Sequence, residues 1–163
     1  MVDQTAVNVT VHWCPPHSVQ ALLDVLGKHD LGELFSSDVV VSDEDGKLVR
    51  LVLGRVYGAW ETEWDRSAEL ANELIEAAGE AAFTVFEVPC YDRVGQTHCY
   101  VPGLGMFSAA CGTDGSPLFY LNGMLRIADA PEAIRRIALG EPWRLAVESM
   151  EAEIYGGKGS DHG

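Results

Sequence analysis

Basic residues are scarce in this chain. Eleven lysines and arginines stand against 25 aspartates and glutamates in 163 residues, which gives a net charge of −14. Proteins that bind a nucleic-acid backbone or an anionic membrane do so through cations that neutralise its phosphates. The composition therefore argues against direct binding to nucleic acid or to a membrane. It leaves a partner with a basic surface as the expected kind of ligand.

Long apolar runs are also missing. No stretch of the sequence approaches the ~20 apolar residues that span a bilayer, and the first residues lack the basic segment and apolar core of a signal peptide. We therefore expect a cytoplasmic protein. In that reducing compartment the four cysteines, Cys14, Cys90, Cys99 and Cys111, are predicted to be free thiols.

The common catalytic motifs are absent. There is no Walker A loop, no GxGxxG after the first predicted strand, no GxSxG and no HExxH. The short pattern Gly103-Leu104-Gly105 is typical of a turn. The sequence thus favours a non-enzymatic protein, and it points to no cofactor.

The remaining composition predicts a globular fold. A hydrophobic fraction of 47% and a charged fraction of 22% are close to globular averages. We expect one α+β domain over residues 1–155. The glycine-rich polar residues 156–163 are predicted to form a flexible tail.

The order of predicted elements indicates a ferredoxin-like fold. Valines alternate with polar residues over 7–13, and Pro15-Pro16 ends this strand and begins a helix. A hairpin is predicted around Asp45-Gly46, followed by a second helix and a strand, which completes a βαββαβ unit. The ranges are 39–41 and 48–52 for the hairpin, 66–79 for the helix and 83–88 for the strand. An added meander (97–101, 106–110 and 118–121) and two terminal helices follow.

The acidic residues are unevenly distributed. Residues 58–120 carry ten acids and two bases, and four of the acids recur at helical spacing, which places them in one row on the second helix. Tryptophans flank the acids that precede this helix, as in interaction hot spots. The predicted partner-binding residues are Trp60, Glu61, Glu63, Trp64, Glu69, Glu73, Glu76 and Glu80. An ordinary solvated helix face and a divalent-cation site are the alternatives.

A second hypothesis centres on His12, Cys14 and His17. Alternation along the strand predicts that His12 and Cys14 face the same side, and His17 follows within one helical turn. Mixed Cys and His ligands are typical of zinc, so the three residues are candidates for a metal-binding protein or enzyme, joined by Cys90, His98, Cys99 or Cys111. A thiol at a helix N-terminus can also have a lowered pKa, which makes Cys14 a candidate nucleophile.

The last predicted helix carries one apolar stripe. Its members are Trp143, Ala146, Val147, Met150 and Ile154. The stripe either packs on the free face of the sheet or forms a homodimer contact, and packing is favoured. A homodimeric ligand-binding domain that uses the open sheet face is a third hypothesis for the function.

Three stretches between residues 7 and 121 carry a family resemblance. They are Cys14-Pro-Pro leading into Ala21-Leu-Leu-Asp-Val-Leu, the helix from Ser67-Ala-Glu-Leu-Ala to Phe83-Thr-Val-Phe-Glu-Val-Pro, and Tyr100-Val-Pro-Gly-Leu-Gly-Met-Phe with Asp114-Gly-Ser-Pro. They resemble small uncharacterised proteins of actinobacteria and of their phages and plasmids. The resemblance implies a mobile-element accessory protein, and it transfers no functional residue. The sequence as a whole predicts an acidic binding protein that modulates a host protein through a surface that mimics nucleic acid.

Overall fold

The alternating valines of the first strand lie at the centre of the fold. The computed structural model describes residues 4–35 and 39–156. Strand β1 (Gln4–Trp13) buries Val7, Val9 and Val11 completely on one side of the sheet. It pairs with β3 (Val56–Glu63) along one edge and with β4 (Ala82–Glu87) along the other. The alternation thus predicted both the strand and its buried side.

The described strands form one six-stranded antiparallel sheet. Strand β2 is Gly32–Glu33, β5 is Gly95–Val101 and β6 is Gly105–Cys111. The order across the sheet is β2-β3-β1-β4-β5-β6, and every neighbouring pair is antiparallel. The fold class is α+β, as predicted.

Two amphipathic helices cover the valine side of the sheet. A 3-10 turn at Pro16–Ser18 leads into α1 (Val19–Lys28), and α2 is Ser67–Ala78. Their leucines, at helical spacing, bury against the valines of β1 and against Phe83 and Val85 of β4. Since burial of a large apolar side chain contributes about 1.5–3 kcal/mol, this layer supplies most of the hydrophobic stabilisation.

Helix α5 (Glu141–Gly156) packs on the opposite side of the sheet. Trp143, Val147 and Met150 join Ala82 and Val101 in a second apolar cluster. The Trp143 indole donates a hydrogen bond to the Gly105 carbonyl at 2.9 Å. Packing of the stripe on the free sheet face is therefore confirmed for the four members Trp143, Ala146, Val147 and Met150.

Two short helices connect β6 to α5. They are α3 (Leu121–Ile127) and α4 (Glu132–Ala138), and neither contains a buried residue. Helix α4 contacts α5, and α3 contacts α4. None of the described helices is long and apolar enough to cross a membrane.

The predicted hairpin strands at 39–41 and 48–52 are wrong. In that described segment only an isolated bridge, Ser42 with Leu48, closes the turn at Gly46, whose φ of +78° suits glycine. Val41 and Leu48 are buried in the core beneath α1, but as parts of a loop. The strand that pairs with β1 is β3 instead.

The predicted strand at 118–121 is also wrong. Only a Cys111–Pro117 bridge extends β6 there, and Leu121 already begins α3. Leu118 N–H donates to the Ala110 carbonyl at 2.7 Å, and the pairing goes no further. Of the predicted tail at 156–163, all but Gly156 lies outside the described residues.

Candidate functional site

Two of the four glutamates in the predicted row, Glu73 on α2 and Glu80 just beyond its end, have partners in or next to α1. Glu73 accepts hydrogen bonds from Lys28 at 2.8 Å and from His29 at 3.2 Å, at the end of α1. Glu80 pairs with His17, just before α1 begins. The hydrogen bond from Lys28, and then that from His29, lowers the pKa of Glu73. Glu73 therefore links α2 to the end of α1, and Glu80 links the segment after α2 to the 3-10 turn before α1.

Glu63 and Glu69 meet at one arginine. The Arg66 guanidinium lies 2.6 Å from a carboxylate oxygen of each. Both partners raise the pKa of Arg66, Glu63 more than Glu69. This arginine joins the end of β3 to the first turn of α2, so Glu63 before the helix and Glu69 on it are neighbours on one surface.

Two of the predicted acids have no ion pair with any described residue. Glu61 on β3 and Glu76 on α2 are both exposed. Trp60, beside Glu61, is 73% exposed. Trp64 is half-buried, and the Arg93 guanidinium lies 5.4 Å from its ring centroid.

These eight residues define the acidic surface discussed below. Its members are Trp60, Glu61, Glu63, Trp64, Glu69, Glu73, Glu76 and Glu80. Its six glutamates outnumber three permanent cations, Arg66 and Lys28 in ion pairs and Arg93 on the ring of Trp64. The surface therefore remains negative after its internal ion pairs are formed.

His12, Cys14 and His17 do not come together. His12 is buried on the α5 side of the sheet, with Nε2 2.8 Å from Thr84 Oγ1. Cys14 packs against the core beneath α1, and His17 is on the surface. A β-bulge between Val11 and Trp13 interrupts the alternation on which the prediction rested. Among the described residues, no group of three or more His, Cys, Asp or Glu side chains could hold a metal ion.

Cys14 also lacks the electrostatics of a nucleophile. Burial raises the pKa of its thiol, whereas the hypothesis required a lowered pKa. The chain before α1 explains the difference, because Pro15 and Pro16 have no N–H to donate to a thiolate. The pKa of Cys99 is also raised by burial, and that of Cys111 is raised to about 11. All four cysteines are unpaired.

His12 is expected to make stability depend on pH. Burial lowers its pKa to about 4, while an unfolded histidine titrates near pH ~6.5. Between these values the unfolded state binds a proton that the folded state does not. The contribution of neutral His12 is thus fully present above about pH 6.5 and is lost as the pH falls towards about 4, a change of about 3 kcal/mol.

A comparison of the native protein with His12→Leu isolates this contribution. Chemical denaturation of both proteins at about pH 7 and about pH 4 gives two differences in unfolding free energy, which are expected to differ by about 3 kcal/mol. Glu151 Oε1 lies 3.9 Å from Nδ1 and would offset part of the penalty of protonation. A difference that is the same at both pH values would contradict the prediction.

A buried polar network at the start of α2 was missed by the sequence reasoning. Glu87 is completely buried, and its carboxylate accepts hydrogen bonds from the backbone N–H groups of Asp65 (2.8 Å) and Ser67 (3.3 Å). His98 Nε2 is 3.2 Å from Ser67 Oγ, and its Nδ1 is 2.8 Å from Ser108 Oγ. The signal was available, because alternation along β4 turns Glu87 to the same side as Phe83 and Val85.

This network resembles a catalytic constellation in its residue types but not in its bonding. The Glu87 carboxylate is directed to the helix amides, so it does not orient the imidazole as the acid of a triad does. Burial lowers the pKa of His98, against the opposing effects of Glu87 and Asp65. The network therefore anchors the first turn of α2 to β4 and β5.

No protein-family model, curated protein or solved structure matches this chain.

Proposed function

We propose that this protein is a non-enzymatic binding protein that engages a basic surface of another protein through its acidic surface. The observation that carries the proposal is the exposure of Trp60 beside Glu61, at the edge of a surface with more glutamates than cations. Exposed tryptophans supply much of the binding energy at protein interfaces. The surrounding charges speed association with a partner of opposite sign.

The internal ion pairs change which part of the acidic surface we propose as the contact. Lys28, His29 and His17 occupy Glu73 and Glu80, so the regular row of four charges is no longer the best feature for a partner to recognise. We place the contact at the end of β3 and the adjacent part of α2. Modulation of a host protein there is the role that the family resemblance implies, and the negative charge of the surface would let it compete with nucleic acid for that protein.

The finer fold assignment is also part of this proposal. The strand order β2-β3-β1-β4, with α1 and α2 on one side, supports a ferredoxin-like unit, and β5 and β6 extend its sheet. In such a unit the outer surfaces of both helices are available to a partner. Three members of the acidic surface, Glu69, Glu73 and Glu76, lie on α2.

The test reverses the two charges that have no internal partner. The chain is immobilised, and basic proteins are captured from a cell extract at about 0.1 M salt and released at about 1 M, where the Debye length falls from about 10 Å to about 3 Å. A captured protein is then purified and titrated with the native chain and with Glu61→Lys/Glu76→Lys. The variant is expected to weaken binding at least about tenfold.

A matched variant controls for net charge. Glu44→Lys/Glu153→Lys changes the charge by the same amount at two exposed positions away from the acidic surface, and neither residue has an ion pair with a described residue. It is expected to bind like the native chain. If both variants weakened partner binding equally, the effect would come from net charge and not from the acidic surface, which would contradict the proposal. If neither variant weakened binding, the proposal would also be overturned.

A further inference from the structure

Strand β3 has a free edge over its second half. On the side away from β1 it pairs with β2 only through Tyr57 and Gly58, and the Leu34 N–H donates to the Val56 carbonyl at 3.2 Å. No described residue pairs with the backbone of residues 59–63 on that side. The N–H and C=O groups of an unpaired edge are available to another strand.

The end of α1 explains why β2 is so short. Asp30 has a φ of +54°, and the Leu31 N–H donates to the Leu26 carbonyl at 2.9 Å. The chain is thus bound to the helix terminus as far as Leu31, and it reaches β3 only at Gly32. The described part of the chain therefore leaves the rest of the β3 edge unpaired.

The charges along this edge indicate a basic segment as its partner. Residues 56–65 contain three acids and no lysine or arginine. Arg66 is shared between Glu63 and Glu69, so it offsets this charge only in part. Like charges oppose pairing, so a second copy of this chain, with its net charge of −14, is a poor partner. A strand with a cation at every second position matches the spacing of Glu61 and Glu63.

A β-bulge lies within the free edge. The register of the β1–β3 pairing shifts so that two residues, Trp60 and Glu61, lie opposite Ala6. Bulges re-aim the side chains that they contain, and here Trp60 is 73% exposed and Glu61 is exposed as well. An apolar contact and a charge are thus presented beside the unpaired backbone.

We infer that the partner adds a strand to this edge, as an extended basic segment that pairs with the backbone of residues 59–63. In this mode of recognition the main-chain hydrogen bonds give affinity, and alternate side chains give specificity. The cations of the segment contact Glu61 and Glu63, and its apolar groups contact Trp60. The inference rests on the proposed function, because it names the kind of segment that the acidic surface binds. It adds that the β3 backbone makes the contact together with the charges.

The experiment titrates the whole chain with three synthetic peptides of the sequence Thr-Lys-Thr-Lys-Thr-Lys-Thr at about 0.1 M salt. One peptide is unmodified, one is N-methylated at its lysines and one at its threonines. Alternate N–H groups of a strand point to opposite edges, so only one set of methyl groups blocks pairing with β3. That peptide is expected to bind at least about tenfold more weakly than the other two. Equal Kd values for the two methylated peptides would overturn the inference.

Amide hydrogen exchange measured by NMR locates the contact. The unmodified peptide is expected to slow exchange at least about tenfold for the outward-facing amides of residues 59–63. Strand β6, the uncharged strand at the other edge of the sheet, is the control and is expected to show no change. Slower exchange in β6 without any change at residues 59–63 would also overturn the inference.

A charge reversal separates this inference from the proposed function. Glu61→Lys is expected to raise the Kd of the unmodified peptide at least about threefold. Glu44→Lys, at an exposed position outside the acidic surface, is expected to leave it unchanged. If Glu61→Lys weakened binding while both methylated peptides bound equally, the proposed function would stand and the inference would fail. If neither variant weakened binding, both would be contradicted.

Discussion

Glu87→Ala is expected to lower the free energy of unfolding by about 3–5 kcal/mol. The side chain is completely buried, and it is the acceptor for the backbone N–H groups of Asp65 and Ser67. Truncation leaves both donors without a partner in a place that water does not reach, and it creates a cavity between α2 and β4. The first turn of α2 also loses a negative charge at the positive end of its dipole.

Such a change is large for a domain whose total stability is about 5–15 kcal/mol. The measurement is urea denaturation followed by circular dichroism. Glu87→Gln keeps the shape and one acceptor oxygen but turns an NH₂ group towards the second amide, so a loss of about 1–3 kcal/mol is expected. Glu76→Ala, on the exposed side of the same helix, controls for helix propensity and is expected to change stability by less than about 0.5 kcal/mol. A Glu87→Ala variant within that range would show that the network does not anchor α2.

Local patterns predicted the parts of the fold in which one side of an element is buried. The valines of β1 and the leucines of α1 and α2 have periods of two and of about 3.6, and these elements are where they were expected. Their burial against one another is what creates the periodicity. The prediction succeeded because the burial that stabilises these elements also produces the periodic pattern in the sequence.

The pattern failed where apolar residues are buried without forming a strand, and where a strand is exposed. Val41 and Leu48 are apolar because they cover the edge of the core, yet their backbone forms a loop. Strand β3 has the opposite character, because after Tyr57 its residues are increasingly exposed and acidic. Its strand structure is set by hydrogen bonds to β1, which a local pattern does not record. The local pattern therefore assigned strands to residues 39–41 and 48–52, whereas the strand that pairs with β1 is β3.

The candidate site shows the same limit. Spacing placed four glutamates in one row on α2, but Lys28 and Glu73 are 45 positions apart, and only the packing of α1 against α2 reveals their pairing. The bulge before Trp13 likewise separates His12 from Cys14 through a single extra residue. The sequence alone shows the charge and the type of each residue. Which charges remain available to a partner depends on tertiary contacts.

Gly95→Ala is expected to destabilise the protein by about 3 kcal/mol, at the upper end of the usual effect of overpacking. Gly95 begins β5, and a Cβ there would collide with the backbone carbonyl oxygen of Glu87. It would also lie 2.8 Å from Pro89 Cδ and 2.9 Å from Cys111 Sγ. A carbonyl held in the sheet cannot rotate away as a flexible side chain does. The added methyl group therefore forces β4 and β5 apart at Gly95.

The same substitution at Gly27 is the matched control, and its expected sign is opposite. Gly27 lies within α1, and a Cβ there would meet no atom within 4 Å. Alanine limits the unfolded chain more than glycine does, so Gly27→Ala is expected to stabilise by about 0.5–1 kcal/mol. Thermal unfolding should thus move the two variants in opposite directions, with a fall of about 6–12 °C for Gly95→Ala. If Gly95→Ala unfolded at the temperature of the native protein, the close approach of β5 to Glu87 would be contradicted, because no relaxation of side chains alone removes a contact between a methyl group and a fixed carbonyl.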